Sequence, residues 1–176
     1  MKQTAVTPVV LGMLSLGPRS GYDIKAVVDR STRFFWAASY GQIYPELRRL
    51  EEEGLIEGED APSGGRSRRV FRLTDAGRKA LEDWLLGPKT TIEYRDESLL
   101  RLFFADALPR EQALGLLEAR KRGHEQYLDV LRAIDARPGE DPDFVDLVLR
   151  WGIDFNQWGA EWCEKQLKRL RAKKAA

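Results

Sequence analysis

Apolar residues recur with helical spacing from the beginning of the chain and predict two short helices. The first carries Val10, Leu11 and Leu14 on one face, with Thr7 as its N-cap and Pro8 as its first helical residue. A Gly-Pro pair then ends this helix. The second helix is indicated by a capping pair followed by an apolar face: Ser20, Asp23, Ile24, Val27 and Val28.

Residues 39–56 read SYGQIYPELRRLEEEGLI and predict a third helix with two different faces. Ser39 and Gln42 form a capping box at its start, and Gly54 occupies the C′ position at its end. At about 100° per residue, the face toward the core consists of Ile43, Leu47 and Leu50, with Tyr40 close by. The opposite face presents Gly41, Pro45, Arg48 and Arg49, with Gln42 and Tyr44 at its edges. The sequence is compatible with two starting points for this helix: it begins at Ser39 and contains Pro45, or it begins near Tyr44.

A β-hairpin and a fourth helix follow. Two strand-like runs, at about 55–59 and 69–73, flank a turn rich in Pro, Ser and Gly, and the second run is rich in arginine. Thr74 then caps a helix whose apolar stripe contains Ala80, Leu81, Trp84 and Leu85. Three helices, a hairpin and a closing helix are the components of a winged helix-turn-helix.

Near Gly87-Pro88 the pattern changes to a short connection, and the pattern after it is helical, which predicts a second domain. We expect a winged helix-turn-helix domain at 1–87, a linker at 88–94 and an all-helical dimerisation domain at 95–176. The run ESLLRLFFADAL is apolar on most faces and predicts a buried helix. A second helix is expected from Pro109 to about Ala136, and a third from about Pro142 to Lys173. The predicted fold is therefore mainly α with one small β-hairpin.

Aromatic residues are concentrated in two places. The run Phe34–Trp36 is expected to plug the base of the N-terminal core, with a ligand role as the alternative. Near the C-terminus, an aromatic seam has the heptad spacing 4, 3, 4, 3, 4: Phe144, Val148, Trp151, Phe155, Trp158 and Trp162. This seam predicts packing, either at a dimer interface or inside the domain, and the alternative is a pocket for a flat effector. His124 lies on a separate apolar stripe and is interpreted as an interface histidine or, alternatively, as a pH sensor or ligand contact.

Composition leaves little room for catalysis. The chain of 176 residues has one His, Cys163 as its one Cys, and no motif of a hydrolase, P-loop or dinucleotide site. One His and one Cys exclude a metal site built mainly from these ligands, so we expect no catalytic residue, metal or cofactor. No apolar run is long enough for a membrane span, and no signal peptide is evident, which predicts a cytoplasmic protein.

The charges are sorted along the chain although the net charge is only +1. Residues 66–72 contain four arginines and no acid, whereas residues 51–60 contain six acids. The small residues on the outward face of the third helix would let its first turns enter a major groove, where Gln42 could pair with adenine and arginines could meet phosphates. An ordinary solvated face would explain the same helix, but the arginine-rich hairpin arm favours DNA. The rival hypothesis is a winged-helix module that binds a protein or small molecule and no DNA.

Three stretches, LSLGPRSGYDIK, FFWAASYGQIYPELRRLEEEGLI and RRVFRLTDAGRKAL, resemble the PadR family of bacterial transcriptional regulators over about residues 7–86. The run YRDESLLRLFFADAL is similar to the start of the longer helical C-terminal domain of its virulence-activator-like branch. The resemblance implies a homodimer on an inverted-repeat operator, usually a repressor released by a small, often aromatic molecule.

The resemblance also implies roles for individual residues. Tyr22 and Lys25 should meet the DNA backbone, and Ser39, Gln42 and Tyr44 should enter the major groove. The wing should touch the adjacent minor groove through one of Arg66, Arg68 and Arg69. This wing has Ser67 where the family often has Pro and Phe71 where it often has Tyr, which leaves the contacting arginine open. With the residues of the outward face, the predicted DNA-binding set is Tyr22, Lys25, Ser39, Gly41, Gln42, Tyr44, Arg48, Arg49, Arg66, Arg68 and Arg69.

Overall fold

The chain is described by a computed structural model that covers residues 4–61, 68–88, 95–134 and 143–172. It divides into two compact units, Met1–Thr91 and Ile92–Ala176. Within the described residues there are seven α-helices and three short β-strands, which agrees with the predicted mainly helical fold. The α-helices are α1 (Thr7–Ser15), α2 (Gly21–Arg30), α3 (Tyr40–Glu52), α4 (Asp75–Leu85), α5 (Glu97–Phe103), α6 (Arg110–Ala133) and α7 (Phe144–Ala172).

The strands of the first unit form one antiparallel sheet in the order β1-β3-β2. They are β1 (Arg19–Ser20), β2 (Ile56–Ala61) and β3 (Arg68–Leu73). The predicted hairpin is confirmed, with Ile56 opposite Leu73 and Ala61 opposite Arg68. The sequence did not reveal β1, because two residues are too short to show a strand pattern. Pairing of β1 with β3 fixes the hairpin beside the start of α2.

The core of the first unit is formed by the apolar faces that the spacing predicted on its first three helices. Fully buried side chains come from α1, α2, α3 and β2: Val10, Leu11, Ile24, Val28, Ile43, Leu47, Leu50 and Ile56. Ala80 and Leu81 of α4 pack against this cluster. Each stripe therefore faces a common interior, as burial of apolar surface requires.

Most of the predicted helix ends are confirmed. Ser20 and Asp23 form a capping box at the start of α2, and the Thr74 hydroxyl accepts the N–H of Gly77 at 3.1 Å. Gly54 has a φ of +71°, as a C′ residue in the left-handed region should. The prediction for Thr7 was wrong: Val6 is the N-cap of α1, and Thr7 is a buried residue of its first turn. Its hydroxyl donates a hydrogen bond to the carboxylate of Glu46.

The aromatic run after α2 does not plug the core as expected. Thr32–Phe34 forms a 3₁₀ turn, and Phe34 is only partly buried. Phe35 and Trp36 are both exposed, although the Trp36 indole N–H donates to the carbonyl of Ala5 at 2.8 Å. The buried residue of this connection is Ala38. The run is thus a surface feature that the small core does not need.

The second unit is a helical bundle built around α6 and α7. Leu114 and Leu117 of α6 pack against Cys163 and Leu167 of α7 in a small buried cluster. Two glycines allow the close approach of the helices: a Cβ on Gly159 would lie 2.6 Å from the His124 ring, and one on Gly152 would lie 3.2 Å from Leu131. The predicted α6 and α7 are confirmed, although residues 135–142 and 173–176 lie outside the described residues.

The apolar run ESLLRLFFADAL is not one buried helix. It forms α5 and then a 3₁₀ turn at Ala105–Ala107, and it contributes only partly buried Leu102 to the core. Phe103 is 80% exposed and Phe104 is 62% exposed. The expected burial is therefore wrong for the isolated chain. Residues 89–94 of the predicted linker lie outside the described residues, and no helix within the described ranges could cross a bilayer.

Candidate functional site

The first turns of α3 carry a continuous exposed face. Ser39 is the N-cap and the helix begins at Tyr40, so Pro45 lies inside the helix and does not start it. Because proline lacks an N–H, the carbonyl of Gly41 receives no helical hydrogen bond from position 45. The exposed residues of this face are Gly41, Gln42, Tyr44, Pro45 and Arg48. The buried face contains the predicted leucines and isoleucine and, in addition, Glu46.

Gln42 caps the helix as well as facing outward. Its Oε1 atom accepts hydrogen bonds from the backbone N–H and from the hydroxyl of Ser39, both at 3.0 Å. The amide Nε2 group therefore remains the part of the side chain with donors to offer a partner. The side chain of Gln42 therefore belongs both to the cap of α3 and to its outward face.

One edge of the exposed face is built jointly with α2. Tyr40 stacks on Tyr44 with ring centroids 6.2 Å apart, and Lys25 Nζ lies 5.5 Å from the Tyr40 centroid while it pairs with Asp29. Gly21 makes room for this group, because a Cβ there would lie 2.9 Å from the Tyr44 ring. The helical wheel placed Tyr40 close to the core, but it is 44% exposed.

Tyr22, the remaining α2 residue of the predicted set, is also exposed. The sequence signal for the stacked pair was the spacing of Tyr40 and Tyr44, which are four residues apart and therefore lie on one helix face.

The other edge contradicts one prediction. Arg49 does not lie on the outward face: its guanidinium turns back to Glu46, with Nη2 2.6 Å from Oε1, and its Nη1 contacts Glu53 at 2.5 Å. Glu46 is only 5% exposed although it is a carboxylate. On the helical wheel Glu46 lies 60° from Ile43, so an acid at the border of the apolar sector followed three residues later by an arginine was the available signal.

The wing brings its arginines next to the two helices. Arg68 pairs with Asp23 of α2, and Arg69 pairs with Glu51 of α3 at 2.5 Å and with Asp60 of β2 at 3.3 Å. Asp23 also caps α2, and despite the opposing effect of burial its hydrogen bonds hold its pKa below the ordinary value. These pairs are exposed to water, where screening makes an ion pair weak, so phosphates could replace the carboxylates. Arg66 lies outside the described residues.

The described residues contain no cluster of side chains that could bind a metal ion. Among residues 4–61, 68–88, 95–134 and 143–172, no three His, Cys, Asp or Glu residues are close enough together to hold an ion. Cys163 is fully buried, and burial raises the pKa of its thiol, so it behaves as a small apolar residue of the α6–α7 contact.

The aromatic seam lies on an exposed face of α7. Trp151 is 63% exposed and stacks on Phe155 with ring centroids 5.3 Å apart and planes 6° apart, and Trp158 is 60% exposed. Phe144 and Val148 are also exposed, and Trp162 is 38% exposed. The face of α7 turned toward α6 is a different one, which contains Gly159, Cys163 and Leu167. Of the two packing predictions, the intradomain core is therefore wrong.

His124 of α6 contacts α7 beside the aromatic seam, through Asn156 and Phe155. Its Nδ1 lies 3.0 Å from Asn156 Oδ1, and its ring meets Phe155 edge to face at 5.9 Å. The Asn156 amide in turn donates to the carbonyl of Gly152 at 2.8 Å. The histidine is thus partly buried and hydrogen-bonded beside the seam, where it supports Phe155.

Comparison with known proteins matches both units. Residues 10–83 match the transcriptional regulator PadR-like family, and residues 94–171 match the family described as virulence activator alpha C-term. The negative transcriptional regulator PadR of Bacillus subtilis (strain 168) is 30% identical over 169 residues, which cover 90% of this chain and 93% of that protein.

Two crystal structures of that Bacillus subtilis regulator are similar to this chain. The complex with operator DNA has a TM-score of 0.86 at 29% identity, covering 96% of this chain and 99% of that one. The complex with p-coumaric acid has a TM-score of 0.79 at 30% identity, with the same coverage. The similarity therefore extends over both units and is accompanied by recognisable sequence identity.

Proposed function

Since the chain belongs to the PadR-like family of transcriptional regulators, we propose that it is a repressor that binds an inverted-repeat operator as a homodimer. Residues 1–87 form its DNA-binding domain, and residues 95–176 form its dimerisation domain. The observation that carries the proposal is the exposed first half of α3, where small and hydrogen-bonding residues face outward over a fully buried apolar face. This arrangement suits a recognition helix.

The DNA contacts fall into two groups. Gln42 offers its amide donors to base edges, and Gly41 lets the backbone of α3 come close to the groove. Ser39, Tyr44, Tyr22, Lys25 and Arg48 flank this point and reach phosphates or the edges of the groove. Arg68 and Arg69, which are themselves exposed, leave their carboxylate partners for the DNA backbone beside the wing.

The exposed aromatic seam of α7 supports the homodimer. A second copy of the same helix would bury the seam tryptophans and fix the separation of two recognition helices. Two half-sites one helical turn apart, about 34 Å, would then be read together. A symmetric operator follows from the symmetry of the protein.

The effector belongs to the class of small aromatic molecules. The support is the Bacillus subtilis relative, whose complex with p-coumaric acid has a TM-score of 0.79. In this chain, flat rings that could stack on such a molecule are present along the seam, where Trp151 and Phe155 are already parallel. An effector that favours a different separation of the recognition helices releases the operator.

The test is selection of bound duplexes from a random DNA pool, followed by titration of the selected duplex with and without p-coumaric acid. We expect a palindromic consensus with two half-sites, a complex of two protomers per duplex, and weaker binding with the acid. A chain that selects no sequence at any salt concentration would instead be an interaction module, and a selected site without symmetry would contradict the homodimer.

A further inference from the structure

A carboxylate is buried in the apolar face of the proposed recognition helix. Glu46 lies at the border of the apolar face of α3, about 40° beyond Leu50 on the helical wheel, and is 5% exposed. A charge in such a place is unfavourable unless hydrogen bonds and an opposite charge compensate it. The groups that contact Glu46 must therefore supply this compensation.

The compensation comes from two directions. The hydroxyl of Thr7, itself 1% exposed, donates to Glu46 Oε1 at 2.5 Å. Arg49 donates to Oε1 and Oε2 at 2.6 and 3.2 Å, and its Nη2 also donates to the Thr7 hydroxyl at 3.1 Å. The three side chains form one closed network that joins the first turn of α1 to the middle of α3.

Charge states agree with this geometry. Burial opposes ionisation of Glu46, but hydrogen bonds from Arg49 and Thr7 hold its pKa below the ordinary value. The hydrogen bond to Glu46 likewise raises the pKa of Arg49 above its ordinary value. Both groups are ionised at neutral pH, and Arg49 is committed to this pair.

The neighbouring arginine is in a different situation. Arg48 is exposed, about 100° around the helix from Arg49, and no ion pair involves it among the described residues. It lies on the same face as Gly41 and Pro45. An exposed cation on that face is free to meet a phosphate.

We infer that Arg49 is a positioning residue, which acts through Glu46 and Thr7 to fix the rotation of α3 about its own axis, and that the phosphate contact in this pair belongs to Arg48. The inference rests on the proposed function. Base-edge contacts need side chains placed within about 0.5 Å, so a small rotation of α3 displaces Gln42 from its base. Loss of the network should therefore lower discrimination between sequences, whereas loss of Arg48 should weaken binding to all of them.

The experiment uses the full chain and two duplexes: the one selected from the random pool and a scrambled duplex of the same length. Affinity is measured at several salt concentrations for wild type, Arg48→Gln, Arg49→Gln, Glu46→Gln and the nearly isosteric Thr7→Val. Glu52→Gln is the matched control, because Glu52 is an exposed acid on the same helix. Thr7→Ser restores the hydroxyl without the methyl group. Hydrogen exchange over α1 and α3 reports whether each variant is folded.

We expect Arg48→Gln to reduce the slope of log Kd against log salt concentration by about one on both duplexes, with their affinity ratio unchanged. Arg49→Gln, Glu46→Gln and Thr7→Val should keep the wild-type slope and lower the ratio about tenfold, the scale of one base contact. Thr7→Ser and Glu52→Gln should keep the wild-type ratio.

Two results would overturn the inference. A reduced slope for Arg49→Gln would make Arg49 a phosphate contact, and an unchanged ratio in folded Glu46→Gln and Thr7→Val would make the network structural only. If wild type binds both duplexes equally, the proposed function fails first, and the positioning role fails with it.

Discussion

Gln42 has a single amide for two tasks, the observed helix cap and the proposed base contact, and the structure shows which atom is left for DNA. Ser39 occupies Oε1 through two hydrogen bonds, so Nε2 is the group that can reach a base. A bidentate contact to adenine needs both atoms and would require release of the cap. With the cap kept, the partner is an acceptor such as N7 or O6 of guanine or O4 of thymine.

A substitution that keeps the cap and removes the donor isolates the second task. Gln42→Glu retains an acceptor for Ser39, so we expect a stable α3 and a relaxed preference at one base pair of each half-site. Gln42→Ala should relax the same position and also destabilise the first unit by about 1 kcal/mol. Repetition of the random-pool selection with each variant measures the preference. A consensus identical to that of wild type would show that Gln42 reads no base.

The buried Glu46 gives the stability of the first unit a defined dependence on pH. Its pKa is lowered in the folded chain, so its stabilising contribution is complete above the unfolded value of about 4.3 and is lost as pH falls through the folded value. At pH 7 we expect Glu46→Gln to destabilise the unit by roughly 1–3 kcal/mol, since a charged hydrogen-bond acceptor is replaced. The difference from wild type should shrink as the pH falls below 4.

Hydrogen exchange in α1 and α3, measured at pH 7 and near pH 3.5, checks this dependence. Asp96 in the second unit has a lowered pKa as well, opposed by burial and caused by hydrogen bonds from Ser98 and Arg120. The readout must therefore be local to α1 and α3. A constant difference at both pH values would show that the Glu46 charge contributes nothing to stability.

At the scale of elements, α4 lies close to the connection between α3 and β2. A Cβ on Gly77 would lie 1.9 Å from the carbonyl oxygen of Leu55, which also accepts the N–H of Thr74 at 3.1 Å. We expect Gly77→Ala to destabilise the unit by roughly 1–3 kcal/mol through overpacking. Gly12 is the matched control, because a Cβ there meets nothing within 4 Å in the middle of α1.

Gly12→Ala should stabilise the same unit by up to about 1 kcal/mol, because glycine is a poor helix former. Hydrogen exchange of the core amides in the two variants measures both changes. A neutral Gly77→Ala would mean that α4 moves away from Leu55 without loss, and α4 would then contribute little to the core.

The elements themselves could be predicted from the sequence because each has a local cause. The 3.6-residue spacing placed α1, α2 and α3, and the capping residues Ser20 and Thr74 marked two starts. The two-residue strand β1 was missed, because only tertiary pairing creates it. The run Phe34–Trp36 was misread, because Phe34 is only partly buried and Phe35 and Trp36 are exposed. Apolar character predicts burial only when a neighbouring face is available.

The candidate site was predictable at the level of a face but not of a side chain. The outward position of Gly41 and Arg48 follows from helix geometry, which needs no tertiary information. Arg49 was misplaced because its guanidinium turns to Glu46 and Glu53, three and four residues away, which a helical wheel does not show. Its further partner Thr7 is 42 residues away, and the sequence gives no measure of that pairing. Long flexible side chains take the charge partner that the fold provides, so a helical wheel fixes their Cβ and leaves their ends open.

At the scale of the whole molecule, α7 presents a stripe of exposed apolar side chains. Trp151 and Trp158, both at least 60% exposed, lie on one stripe together with Phe144 and Val148. Contiguous exposed apolar surface on a soluble protein commonly marks an interaction site. The heptad spacing favours another helix as its partner, and a second α7 meets that requirement at once.

Trp158→Arg places a charge within this seam and should convert the proposed homodimer into a monomer, as measured by sedimentation. The monomer should bind a duplex with both half-sites about 10²–10⁴-fold more weakly than wild type, because the second half-site is no longer held at high effective concentration. Binding to a duplex with one half-site should not change. Leu16→Arg is the control, since Leu16 is 62% exposed in the first unit and lies on no such stripe. If Trp158→Arg sediments as wild type does, the seam is not the dimer interface, and its tryptophans are left as a surface for the aromatic effector.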